Sequence, residues 1–356
     1  MNKNIEHIIE ESKSLLAQLI EIPSFSREED ETADAISHFL IERGISNNQI
    51  GNNVIAYNKH FDETKPTILL NSHHDTVKPN PGYTKDPFKA IVEGGKLYGL
   101  GANDAGGCLV SLIAAFLYYY NDENLAYNLC IIASAEEEIS GKNGIEEAYK
   151  HIVDCDFAIV GEPTLLDLAV AEKGLMVLDC TSHGESGHAA REEGVNAIYK
   201  AIEDINWFNS YKFPKESEFL GPVKISVTII NAGSQHNVVP AECKYVVDVR
   251  TTDVYSNLEV LEIIKQHVNS DVIARSTRLN PSTIAVEHPI VQSGLALGKK
   301  MYGSPTMSDQ ALLPIPSIKV GPGDSARSHT ADEFIYLQEI EEGIKFYIQL
   351  LEKVLK

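Results

Sequence analysis

Three runs in the first half of the chain, Ile68-Leu69-Leu70, the stretch 129–133 and the stretch 157–160, are apolar without interruption, and helical spacing fills the gaps between them. A strand apolar on both faces has to be covered on both, and helices threaded between such strands do the covering. The pattern therefore predicts a largely parallel mixed sheet with strands over 67–72, 128–134 and 157–160. Helices are expected over 5–20, 28–43, 105–120, 143–150 and 336–355. Near Glu172 the texture changes. Residues 175–182 alternate like a half-exposed strand, 223–230, 245–250 and 271–278 read as further strands, and 194–208 and 257–268 read as helices. That block fits one sheet with two helices on one face. An α/β domain, 1–172 with 284–356, is expected to carry an inserted α+β domain over 173–283, and a length of 356 residues suits two domains.

Charge and cysteines narrow the partners. Thirty Lys and Arg against 51 Asp and Glu give a net charge of −21, which repels phosphate backbones and speaks against nucleic acid. The most apolar stretch, 108–120, is too short to span a membrane. The N-terminal MNKNIEHIIEESK mixes charge through its apolar positions and reads as no signal peptide. Five cysteines, odd in number and without a CxxC pair, read as reduced thiols of a cytoplasmic protein.

Five segments gather metal-type ligands at the ends of expected strands, where an open α/β sheet places its site. In Asn71-Ser72-His73-His74-Asp75, an extended chain turns His73 and Asp75 to one face and His74 to the other. In Gly99-Leu100-Gly101-Ala102-Asn103-Asp104, an acid stands where a dinucleotide loop needs glycine, so that reading fails. Asp104 could equally cap the helix that follows. Glu136-Glu137-Glu138 follows a strand directly, and three adjacent acids there repel unless a cation neutralises them or water solvates them. Glu162 closes the fourth segment, and the fifth, 321–333, supplies His329. No GxSxG elbow occurs, which disfavours a serine hydrolase.

Together and in this order, the five segments resemble the acetylornithine deacetylase and succinyl-diaminopimelate desuccinylase family of co-catalytic zinc hydrolases, over essentially the whole chain. The resemblance implies two divalent metal ions, zinc first and cobalt as the alternative. His73 and Glu162 would complete one metal site, Glu138 and His329 the other, with Asp104 bridging. Asp75 would orient His73, and Glu137 would be the general base. The family carries Asp where Glu136 stands, and Gly141 and Gly144 favour the register just given. The inserted block matches the family's lid and dimerisation domain, which implies a homodimer. His188, in Gly184-Glu185-Ser186-Gly187-His188, would assist the oxyanion, and Asn237 and Arg250 would hold the substrate carboxylate. On their own residues, His188 is equally a turn histidine, Asn237 a turn cap and Arg250 a partner of Asp248. Arg327 is a rival holder of an anionic group. The implied reaction is hydrolysis of a small N-acyl amino acid, such as N-acetylornithine, N-acetylcitrulline or N-succinylornithine, in arginine biosynthesis. The alternatives are a di- or tripeptidase with the same core, and a catalytically silent metal-binding scaffold.

Overall fold

The computed structural model describes residues 4–356, so the first three residues of the segment read above for a leader lie outside the described residues. The chain divides into two units. One comprises Met1–Val170, Thr283–Tyr302 and Ser308–Lys356, the other Ala171–Ser282 and Gly303–Met307. Among the described residues no helix is long and apolar enough to cross a membrane. All five cysteines are buried and unpaired with one another.

The first unit is built on a mixed sheet. In space its strands run Asn47–Ile50, Asn53–Tyr57, Asn128–Ser134, Thr67–His73, Phe157–Val160, Ser317–Lys319 and Leu168–Glu172. The four central ones are parallel, pairing His73 with Ser134, Asn71 with Val160 and Lys319 with Val160. Their C-terminal ends therefore finish along one edge. Alternation gives each strand two apolar faces. Leu69, Cys130, Ile132, Ala158 and Val160 join one core layer with Ile145 and Ala148 of the short helix Ile145–Ala148. Helix Gly107–Tyr119 lies on the other face, packed against helices Ile5–Ile20 and Leu337–Leu355, and all its residues but Tyr118 are buried.

That helix starts two residues later than its periodicity predicts. Residues Ala102–Gly106 form a wide irregular turn in which Asp104 (φ −118°, ψ 95°) and Ala105 leave helical geometry. Asp104 is thus no N-cap, and its backbone groups look elsewhere for partners. Gly101 turns at φ +74°, where an L side chain would be strained and a Cβ would meet the Thr76 methyl at 2.6 Å.

The second unit is a four-stranded antiparallel sheet, ordered Lys224–Ala232, Glu242–Arg250, Met176–His183, Asp271–Ala274. Helices Ala197–Ser210 and Asn257–His267 cover one face. Leu178, Cys180, Tyr245, Val247 and Val249 meet Ala197, Ala201, Phe208, Val260 and Ile264 there. Both helices are started by side chains, Asn196 accepting from the Ile198 amide and Ser256 with Glu259 forming a capping box.

Candidate metal centre

The aligned C-terminal ends of the parallel strands bring the first, third, fourth and fifth ligand segments to one place, and the second, with Asp104, follows the strand Lys96–Tyr98 of a separate three-stranded antiparallel sheet. His73 is the last residue of its strand and is 1% exposed. Its Nδ1 donates to the backbone carbonyl of Asp75 at 2.9 Å, while the Asp75 carboxylate stands farther off at 3.5 Å. That bond fixes the ring and aims Nε2 inward. Nε2 is buried with no hydrogen-bond partner. It faces Asp104 Oδ1 at 3.4 Å, Glu162 Oε1 at 3.8 Å and Glu137 Oε2 at 3.9 Å.

The fifth segment, which leaves the parallel strand Ser317–Lys319, brings the second histidine. His329 Nε2 lies 3.0 Å from Glu138 Oε2 and 3.6 Å from Asp104 Oδ2. Asp104 thus turns one oxygen to each histidine. Two ligands of a tetrahedral ion with bonds of about 2.1 Å stand roughly 3.4 Å apart, which is the spacing of these edges. An orphaned imidazole nitrogen ringed by carboxylates fits a cation. His73, Asp104 and Glu138 form one cluster of candidate ligand atoms, and His73, Glu137 and Glu162 form another.

The three consecutive acids separate because the backbone twists between them. Glu136 takes a left-handed conformation (φ 55°) and turns its carboxylate back to Asn143, whose Nδ2 donates to it at 2.8 Å. Gly141 packs directly on that carboxylate, where any Cβ would collide. Glu137 and Glu138 point into the centre instead. Their amides donate to Asp75 Oδ1 (3.0 Å) and Oδ2 (3.2 Å), and Ser26 Oγ donates to Oδ2 at 2.7 Å. Asp75 therefore positions the paired acids through its side chain and His73 through its backbone.

The electrostatics follow from this crowding. Burial pushes the Glu162 carboxyl up to about 8, with the Asp104 charge adding to it. Glu137 is pushed well above the carboxylate range, chiefly by burial, despite the pull of His73. At Asp104, burial acts upward, but the adjacent His73 outweighs it and holds the carboxyl low. The hydrogen bond that His329 donates to the Glu138 carboxylate lifts its pKa to about 9. A divalent cation is the natural counterweight to such a set.

The remaining residues sort differently. His74 is a satisfied core histidine, facing Thr32 Oγ1 at 2.9 Å and the Asn52 carbonyl at 2.8 Å, and burial lowers its pKa. Arg327 is held by Glu339 through two bonds of 2.6 and 2.8 Å, so its guanidinium is engaged rather than open to a ligand. His188, Asn237 and Arg250 belong to the second unit. The Gly187–His188 strand pairs with Val238–Val239, and the Ala189 amide donates to the Asn237 carbonyl at 3.0 Å. Arg250 makes a paired contact with Asp248 at 2.9 and 3.1 Å.

Two buried acids had no role in the sequence reading. Asp309 accepts from Ser134 Oγ at 2.6 Å, and burial raises it to about 6. Glu333 accepts from three amides of the 101–104 turn. Only their distance along the chain from what they touch hid them.

Residues 69–353 match the model of peptidase family M20/M25/M40. An acetylornithine deacetylase from Proteus mirabilis is 30% identical over 308 residues, 80% of this chain and 79% of that one. A LysW-lysine/LysW-ornithine hydrolase from Sulfurisphaera tokodaii is 28% identical over 354 residues, 96% and 95% of the two chains. In fold, a tripeptidase from Staphylococcus aureus superposes with a TM-score of 0.75 at 19% identity, covering 97% of this chain and 98% of that one. A dinuclear metal-binding peptidase from Bacillus subtilis gives 0.73 at 17%, covering 98% and 99%.

Proposed function

The chain belongs to peptidase family M20/M25/M40 and is an amidohydrolase of that family, and from this premise we propose that it removes the acyl group of a small N-acyl amino acid using two divalent metal ions. The arrangement that carries the proposal is Asp104, one oxygen toward His73 and the other toward His329. In this reading His73 and Glu162 would hold one ion and Glu138 and His329 the other, with Asp104 a ligand shared by both. Zinc suits the nitrogen and carboxylate donors, with cobalt the alternative. When bound, the ions polarise the amide carbonyl and make water more acidic.

This chain's residues supply the rest. Glu137 takes a proton from the attacking water as its oxygen bonds to the carbonyl carbon. It returns that proton to the nitrogen as the C–N bond breaks. Its position beside His73 suits both transfers. His188 would donate to the oxyanion. Arg250 would exchange Asp248 for the substrate carboxylate. A free amino acid and a short carboxylic acid leave.

For substrate, N-acetylornithine, N-acetylcitrulline and N-succinylornithine are put first, with a place in arginine biosynthesis. The name of the Proteus mirabilis relative supports this choice. Unpaired thiols support a cytoplasmic setting. A homodimer through the second unit is supported by the edge strand Lys224–Ala232, where Ile229 and Ile230 are each 51% exposed. The test is a panel of N-acetyl and N-succinyl amino acids, their α-amides, and di- and tripeptides, run with zinc and with cobalt. Hydrolysis of acyl amino acids over both their α-amides and the peptides is expected. Preference for peptides overturns the substrate assignment and leaves a peptidase.

A further inference from the structure

The turn carrying Asp104 has left helical geometry, so the amides of 101–104 cannot be satisfied within a helix. The Ala102 amide donates to the Gly99 carbonyl at 3.2 Å, and the other three are satisfied from one side by a single residue. Glu333, 2% exposed, accepts from the Asn103 and Asp104 amides through Oε1, both at 2.9 Å, and from the Gly101 amide through Oε2 at 3.3 Å. Its own carbonyl accepts from the Gly99 amide at 3.0 Å. The other side is held by Asn103, fully buried. Its Oδ1 accepts from the Asp324 amide at 3.0 Å, and its Nδ2 donates to the Asp324 carbonyl at 3.1 Å. Asp324 and Glu333 flank His329 in one loop. The loop that presents one histidine therefore also grips the turn that presents the shared carboxylate.

We propose that Glu333, with Asn103, is a positioning residue for the two-metal centre: it holds the Asp104 backbone so that one carboxylate serves both ions. The inference rests on the reading of Asp104 as the shared ligand. The two carboxyl oxygens accept all three bonds, and hydrogen bonds from backbone amides are directional. Three such bonds leave the turn little freedom. Asp104 Oδ1 and Oδ2 point to histidines on opposite sides, so a small rotation of this backbone moves both edges at once. Groups behind the ligands commonly change metal affinity by about 10- to 100-fold when removed.

The experiment is cobalt titration of metal-free protein, following visible absorption and heat, for wild type, Glu333→Gln, Glu333→Asp and Asp104→Asn. Gln places an NH2 group against amides that need an acceptor. Asp keeps the carboxyl but withdraws it. Both Glu333 variants should melt near the wild-type temperature without metal, bind at least one cobalt equivalent about ten-fold or more weakly, and alter the absorption of the fully loaded protein. If Glu333→Gln fails to fold, Glu333→Asp decides by the same criterion. Wild-type affinity and spectrum in a folded Glu333 variant overturn the proposal, as does an affinity loss matched by lost metal-free stability. The Asp104→Asn arm separates the two readings. If it binds two equivalents like wild type, the shared-ligand assignment itself falls. If it loses one while the Glu333 variants lose nothing, only the positioning role falls.

Discussion

Glu136, Glu137 and Glu138 are chemically near-identical neighbours given three different tasks by their backbone. Glu136 braces Asn143, Glu137 faces His73, and Glu138 faces His329. The expected kinetic signature is a split between turnover and metal content. Glu137→Ala should lower kcat by roughly 10²- to 10⁴-fold, the usual worth of a positioned proton carrier, while elemental analysis still finds about two metals per chain. Glu138→Ala or His329→Ala should lose metal first. The reverse pattern would exchange the roles of the two glutamates. The separation was legible in part, since residues at successive positions cannot share a direction. Glu333 was not legible. Its meaning lies in amides some 230 positions earlier (a separation of 229 to 232 residues), and no local periodicity encodes that.

Among the elements, the apolar strands stood out because burial on both faces leaves no polar alternation to confuse them. Residues 128–134 and 157–160 form strands with the expected bounds, and 67–72 extends by one residue to His73. The misses have physical causes. The helix expected from 105 starts at Gly107 because the preceding turn serves Asp104 rather than the helix. The strand expected over 271–278 ends at Ala274, beyond which the carbonyls of Thr277 and Leu279 turn to accept from Asn257 Nδ2. At the opposite edge of that sheet, Lys224–Ala232 presents unpaired backbone and two half-exposed isoleucines, an arrangement proteins usually cover. If this edge joins two copies, as proposed, wild type should sediment as a dimer and Ile230→Lys as a monomer, with the circular dichroism unchanged. A dimer that survives the charge would place the interface elsewhere.

For the molecule as a whole, the centre is a concentration of buried acid within an already acidic chain. The carboxyls of Glu162 and Glu333 are both raised to about 8, from an ordinary 4.5, by burial and then by the charge of Asp104. A folded state that holds a proton the unfolded chain releases is favoured below the unfolded value and loses that advantage as pH rises through the folded one. His329, raised to about 9 from 6.5, acts in the same direction. The metal-free protein should therefore melt at progressively lower temperature from pH 5 to pH 8.5, and added zinc should restore the loss most strongly at the alkaline end. A flat metal-free profile would mean these acids are not buried as described. The placement of the two histidines also has a consequence for how the enzyme comes into being. His73 and His329 are far apart in the chain, and the second unit lies between them in sequence. During synthesis His73 and the acids Asp104, Glu137, Glu138 and Glu162 leave the ribosome before the second unit, and His329 leaves after it. On the proposed ligand set, ion capture would wait for the second unit to be made, and a chain stalled before residue 329 would carry the acids of the centre with only half of its imidazoles.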